Sequence, residues 1–163
     1  MKQQLLVLNH SALFLGTSIY LGTGWSTAIF QFPVMPLLTP ENYRLHFIPQ
    51  IDAATTFFTI LVTVMVLTAA IMIWSEWKTG FRWLPIAVLA TVVAATCLTV
   101  FVIFPVNDAL RAGVTEQTML DDLLARWQTL TWVRVGLWSF EWLAMMFYFA
   151  AKARAAGVGR TAT

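Results

Sequence analysis

The stretch AATTFFTILVTVMVLTAAIMIW, residues 53–74, decides the fold, because it carries no ionisable side chain over the length of a membrane-crossing helix. A hydrocarbon core about 30 Å thick takes about 20 apolar residues per helix. Extended to its polar start it covers residues 46–74, and three further stretches share its character, at 5–32, 83–105 and 129–151. Together with their connections they use up the 163 residues. Composition agrees: 59% of the chain is hydrophobic and 11% charged, mean hydropathy is +0.73, and soluble domains carry about 25% charged residues. The short connections predict an all-α, four-helix up-down-up-down transmembrane bundle forming one integral membrane domain. Residues 106–128 are expected to form an external loop with a short helix near its end. The first stretch far exceeds the 7 to 15 apolar residues of a typical signal peptide, so a retained helix is expected there.

Basic residues orient the bundle. One side carries Lys2, Lys78, Arg82, Lys152, Arg154 and Arg160 against Glu76, whereas the other is acidic, with Glu41, Asp52, Asp108, Glu116, Asp121 and Asp122 outnumbering Arg44, Arg111, Arg126 and the nearby Arg134. The expected placement is a multi-pass protein of the cell membrane with both termini cytoplasmic. The sequence pI of about 9.0 then reflects a basic rim against anionic headgroups, so the lipid bilayer and not nucleic acid is the expected partner. Trp74, Trp77 and Trp83 flank the cytoplasmic turn as an interfacial belt. Cys97 has no second cysteine to pair with.

Gly16, Tyr20 and Gly24 recur at i, i+4, i+8 in the first helix, a spacing that admits a second helix at close range. Pro33 to Pro40 is expected to form an external loop, with Thr39 and Pro40 opening the next helix. Pro49 is expected to kink the start of that helix, and Pro105 to close the third.

Polar residues collect toward the external half: Gln31, His46, Gln50, Asp52, Asn107, Asp108, Arg111 and Arg134. Nothing comparable is expected at the cytoplasmic half, so an outward-facing pocket for an apolar small molecule is the candidate site. Arg134 and Glu141 are the two charged residues in the interior of the last stretch, where a charge costs about 2.5 to 3.5 kcal/mol on lenient scales. Arg134 suits either an ion pair with Asp52 or Asp108 or a ligand that is anionic or carbonyl-bearing. Trp127, Thr131, Arg134, Trp138 and Glu141 form one stripe along the fourth helix. Glu141, deeper, is expected to be neutral and hydrogen-bonded to Tyr20, or to serve as a proton acceptor beside an apolar substrate. Asp52, close to His46, is the second candidate base. His10 and His46 belong to opposite ends, which argues against a shared metal or bis-histidine haem site. No metal and no cofactor are expected, and a single His46 ligating a haem or chlorin is the remaining exception.

Several motifs carry a family likeness. Ala12-Leu13-Phe14-Leu15-Gly16 with Tyr20, Pro105-Val106-Asn107-Asp108-Ala109-Leu110, and Arg126-Trp127 followed by Val133-Arg134 resemble the anthrone oxygenase-like family of small four-helix membrane proteins. Most of its bacterial members form a domain family of unknown function. The resemblance implies Asn107, Trp127 and Arg134 as site-forming positions. It also implies a cofactor-independent oxygenase in which a base forms a carbanion that reacts directly with oxygen, converting an anthrone to an anthraquinone. Thr131 departs from the pattern, standing where His or Asn is expected three residues before the arginine. The resemblance therefore directs the search for a base to Asp52, His46 or Glu141.

Two functions fit these features. One is an oxidoreductase acting on an aromatic or quinone-like substrate, with Arg134, Asn107, Asp52 and Glu141 as catalytic candidates and Trp127, His46, Gln50, Tyr20 and Trp138 as substrate-binding ones. The other is a non-catalytic accessory subunit of a larger membrane complex or homo-oligomer, packing through its glycine face.

Overall fold

The computed structural model describes residues 2–161, and every element among them is helical. Helix α1 (Lys2–Ser26) runs into a π-helical turn, Thr27–Gln31, and then a 3-10 segment, Phe32–Leu37. Helix α2 (Tyr43–His46) is one short turn, followed by α3 (Ile48–Glu76). Helix α4 (Trp83–Leu98) passes through a second π turn, Thr99–Ile103, into α5 (Phe104–Ala112), and α6 (Gln117–Thr161) completes the chain. Helix α1 packs on α3, α3 on α4, α4 on α6 and α6 on α1, which closes a ring of four antiparallel neighbours. Three segments are long and apolar enough to cross a membrane: Gln3–Leu37, Tyr43–Glu76 and Gly80–Ala112. Helix α6, which carries Arg134 and Glu141, packs along α1 and α4 as the fourth member of the bundle.

Prolines explain most departures from the expected boundaries. Pro33 and Pro36 extend the helical path as 3-10 structure where a loop was expected, and Pro33 occupies the start of that segment. A missing N–H costs nothing in a first turn, where no intrahelical acceptor exists for it. For the same reason Pro105 starts α5 and does not close α4. The chain turns only after Ala112, at Gly113, whose φ of +105° favours a residue without a Cβ. From Gln117 the last helix is unbroken, so it absorbs the short helix expected in the external loop. Thr39 does not cap as expected. Its backbone N–H donates to Asn42 Oδ1 at 2.8 Å, and helix α2 begins at Tyr43. Pro49, expected to kink the start of this helix, sits in the first turn of α3 just after the joint at Phe47, across which backbone hydrogen bonds continue.

The glycine face is spent inside the chain. A Cβ on Gly16 would lie 2.7 Å from Met65 Cγ of α3, and one on Gly24 2.8 Å from Trp138 Cε3 of α6. Tight intramolecular seams therefore account for both positions. Cys97 is free and exposed on the outside of α4.

The end of the bundle that holds the termini corrects a further expectation, since it carries a polar cluster of its own. Glu76, 4% exposed, accepts from the hydroxyls of Tyr148 at 2.7 Å and Thr79 at 2.6 Å and pairs with Lys152 Nζ at 2.7 Å. The Tyr148 hydroxyl lies 3.4 Å from His10 Nδ1, and His10 Nε2 lies 3.3 Å from Ser75 Oγ. Side chains from α1, α3 and α6 are thus tied together at this end. The side chains of Lys2 and Arg160, used above for orientation, lie outside the described ones.

Candidate functional site

A cavity of about 490 Å³ occupies the half of the bundle away from the termini. Its ceiling is aromatic: Phe47 and Trp127 meet edge to face with centroids 5.0 Å apart, and Phe32 abuts Trp127 at 6.3 Å. The floor is aromatic as well, with Tyr20 against Trp138 at 4.7 Å and against Phe58 at 5.3 Å. Between the two layers stands Arg134. Its guanidinium carbon lies 5.2 Å from the Trp138 ring centroid and 5.9 Å from that of Trp127. Such a cation–π sandwich partly replaces the water that the charge has lost.

The polar partners of Arg134 are few. Its Nη2 donates to Thr131 Oγ1 at 3.0 Å. Its Nε is enclosed without an acceptor, and so are Asn107 Oδ1 without a donor and Trp138 Nε1 without an acceptor. All three residues line the cavity. Native folds rarely leave buried polar atoms unpaired, because each costs about 1 to 3 kcal/mol. This arrangement therefore offers converging hydrogen-bonding capacity to a ligand between two aromatic layers.

The expected ion pair of Arg134 with Asp52 or Asp108 does not form. Both carboxylates are taken by Arg111, at 2.7 and 2.8 Å, on the exposed rim of α3 and α5. Arg111 wins them because Asp108 lies one turn before it on the same helix and the rim leaves the charges hydrated. The expected bond from Glu141 to Tyr20 is also absent: both Glu141 oxygens are buried without a partner. The Tyr20 ring meets Phe58 edge to face and lies tilted against Trp138, and Glu141 is not among the residues that line the cavity above this floor.

Of the residues singled out from sequence, Tyr20, Gln50, Asn107, Trp127, Arg134 and Trp138 line the cavity. Asp52 and His46 are exposed on the rim, and Glu141 is wholly buried behind the floor. Sequence reasoning missed the threonines. Thr55, Thr59 and Thr63 line the cavity from α3 at i, i+4, i+8, and Thr96 of α4 and Thr99 of the π turn that follows it line it as well. That spacing in an otherwise apolar helix was the available signal. Each hydroxyl donates to the carbonyl four residues back, at 2.7 to 3.0 Å, which satisfies the donor and leaves the oxygen free to accept. Both π turns also border the space, through Thr27 and Gln31 on one side and Thr99 and Val100 on the other. A π turn widens a helix locally, and such turns often sit at functional sites.

The family model for anthrone oxygenase matches residues 48–140. The match takes in α3, α4, α5 and the first half of α6, and with them Asn107, Trp127, Arg134 and Trp138. Searches of curated proteins and of solved structures return no match. The cavity's arginine, asparagine and indoles lie within the matched residues, which make up more than half of the chain, and the protein belongs to the anthrone oxygenase family.

Proposed function

We propose that this protein is a multi-pass enzyme of the cell membrane, with cytoplasmic termini, that oxygenates a flat, apolar, carbonyl-bearing aromatic substrate of the anthrone type. The observation that carries the reading is Arg134, a guanidinium in the cavity with no carboxylate paired to it among the described residues. A charge left unpaired in a ligand-sized space is supplied for an anion that forms there. The cavity volume falls within the range of about 300 to 1,000 Å³ typical of small-molecule sites.

In this reading the substrate lies between the aromatic ceiling and floor with its carbonyl oxygen toward Arg134 and Asn107. Loss of a proton from the ring methylene opposite the carbonyl places negative charge on that oxygen, where the guanidinium stabilises it. The proton passes to water admitted with the ligand, since the cavity residues include no carboxylate or imidazole. Dioxygen then takes the electron pair of the carbanion to give a peroxide anion, which takes the proton back from that water as a C–O–OH group. Loss of water across that carbon leaves a carbonyl, so one methylene and one dioxygen become one carbonyl and one water. Thr131 has no base chemistry to offer and instead orients Arg134 through their hydrogen bond.

The test is turnover by the purified protein in lipid nanodiscs, followed by oxygen uptake and by quinone absorbance above the uncatalysed rate. Arg134→Met is expected to lower kcat/KM by about 100- to 1,000-fold, as loss of an oxyanion donor does, while the protein stays folded. Unchanged turnover in that variant would remove Arg134 from the site.

A further inference from the structure

The cavity's route to the outside is a separate question from what it binds. Toward the end away from the termini, the path to water is blocked by a second apolar core. Phe32, Met35, Tyr43, Val106, Leu110 and Leu120 are its main members, and all are buried. Tyr43 fastens this cap, since its hydroxyl donates to the Leu110 carbonyl at 2.9 Å and accepts from the Val114 N–H at 2.8 Å. The seam between α1 and α6 is shut by Trp25, which packs edge to face on Trp132 and donates to Ser139 Oγ. The seam between α1 and α3 is bridged beside the cavity by Gln31 donating to Gln50 at 2.8 Å.

One seam differs. Between α3 and α4 three cavity-lining residues, Thr59, Thr63 and Val100, are exposed on the flank of the bundle, whereas elsewhere in the described lining Gln50, already bonded to Gln31, is the one exposed residue. Above them the Asp52–Arg111 pair ties α3 to α5, and below them the core containing Met65, Ala69 and Val92 fills the bundle. The opening therefore sits on the side wall, at the depth of hydrocarbon. Its threonines suit that setting. Backbone-bonded hydroxyls leave no donor unsatisfied against lipid when the mouth is empty.

We infer that the ligand reaches Arg134 sideways from the bilayer, through a threonine-lined mouth between α3 and α4, and not from the water beyond the capped end. This inference concerns the ligand of the proposed function and rests on that reading for its identity. The route itself is testable without substrate. In a Cys97→Ser background, Thr131→Cys places a thiol at a position 1% exposed that faces the cavity. In nanodiscs, where both membrane faces meet solvent, the thiol is exposed in turn to lipophilic N-phenylmaleimide and to a charged, water-soluble methanethiosulfonate. Alkylation by the maleimide and sparing by the charged reagent are expected. Narrowing the mouth with Thr63→Trp, or from the opposite lip with Val100→Trp, is expected to slow alkylation by about tenfold or more, whereas Gln50→Trp at the rim is expected to change it by less than about twofold. Thermal unfolding of each variant shows which of the two lip substitutions retains the fold. The inference is overturned if the charged reagent modifies the thiol as fast as the maleimide, if neither reagent reaches it, or if the rim substitution slows alkylation more than the lip substitutions do. Protection of the thiol by a hydroxylated anthraquinone reports on the proposed function instead, and can fail while the route stands.

Discussion

Arg134 could be read from sequence as exceptional, but its surroundings could not. Periodicity places it on a stripe with Trp127, Trp138 and Glu141; it does not say which carboxylates another helix will present to that stripe. That depends on the rotation of α3 and α5, and on Arg111, which takes both Asp52 and Asp108 at the rim. Glu141 was legible in the same limited sense. It is fully buried with both oxygens unpartnered, and removing such a group together with its unmet demand is stabilising. Glu141→Met is therefore expected to raise stability by about 1 to 3 kcal/mol, read as a higher unfolding midpoint in detergent; a large loss would mean that the carboxyl has a partner in the native protein. Arg134→Lys tests the opposite kind of demand. Lysine keeps the charge but not the planar group between two indoles, so affinity for an anthraquinone probe is expected to fall by about tenfold or more, measured by titration in nanodiscs.

The four long helices were legible, because hydrophobic length announces a membrane helix without reference to its partners, whereas the π turns and the 3-10 segment were not. Nor were boundaries. Pro33, Pro36 and Pro105 all read as breaks, yet each sits in helical structure, Pro33 and Pro105 in first turns where a proline is tolerated. The glycine face was legible as a close-packing surface, and the structure says what packs on it. At Gly16 the obstructing atoms belong to a flexible methionine, Met65, whereas at Gly24 they belong to the Trp138 ring that floors the cavity and to the branched side chain of Val135. Gly24→Ala is accordingly expected to cost about 1 to 3 kcal/mol by overpacking and to weaken probe binding. Gly16→Ala is expected to cost less and to leave binding alone. Equal losses of stability and affinity at both positions would contradict this account.

Across the whole molecule the two ends are secured by ionic groups of different worth. The Asp52–Arg111 pair is partly exposed, with side chains 54% and 32% accessible, so Asp52→Asn is expected to cost no more than about 1 kcal/mol. Glu76 is buried among Lys152, Tyr148 and Thr79, and Glu76→Gln, which weakens these bonds but leaves a Lys152 that is 38% accessible and still hydrated, is expected to cost about 1 to 3 kcal/mol. Unfolding midpoints of the two variants in the same detergent compare these expectations directly. The sequence hid this cluster because Glu76 and Lys152 look like ordinary rim charges until the ends of α1, α3 and α6 are brought together. The π turns reach furthest. The turn at Thr99–Ile103 stands between the bundle proper and α5, and each residue of an α-helix advances the azimuth by about 100°. A π turn holds one more residue than an α turn, so deleting one residue there would let it relax to an ordinary helix with Asn107 still facing the cavity, whereas the same deletion in the ordinary helical turn before Asn107 would rotate it away by about 100°. The extra residue thus sets the width of the bundle and not the facing of Asn107: a homologue one residue shorter at the π turn is expected to keep the asparagine in place but to have a narrower space beside Thr99 and Val100.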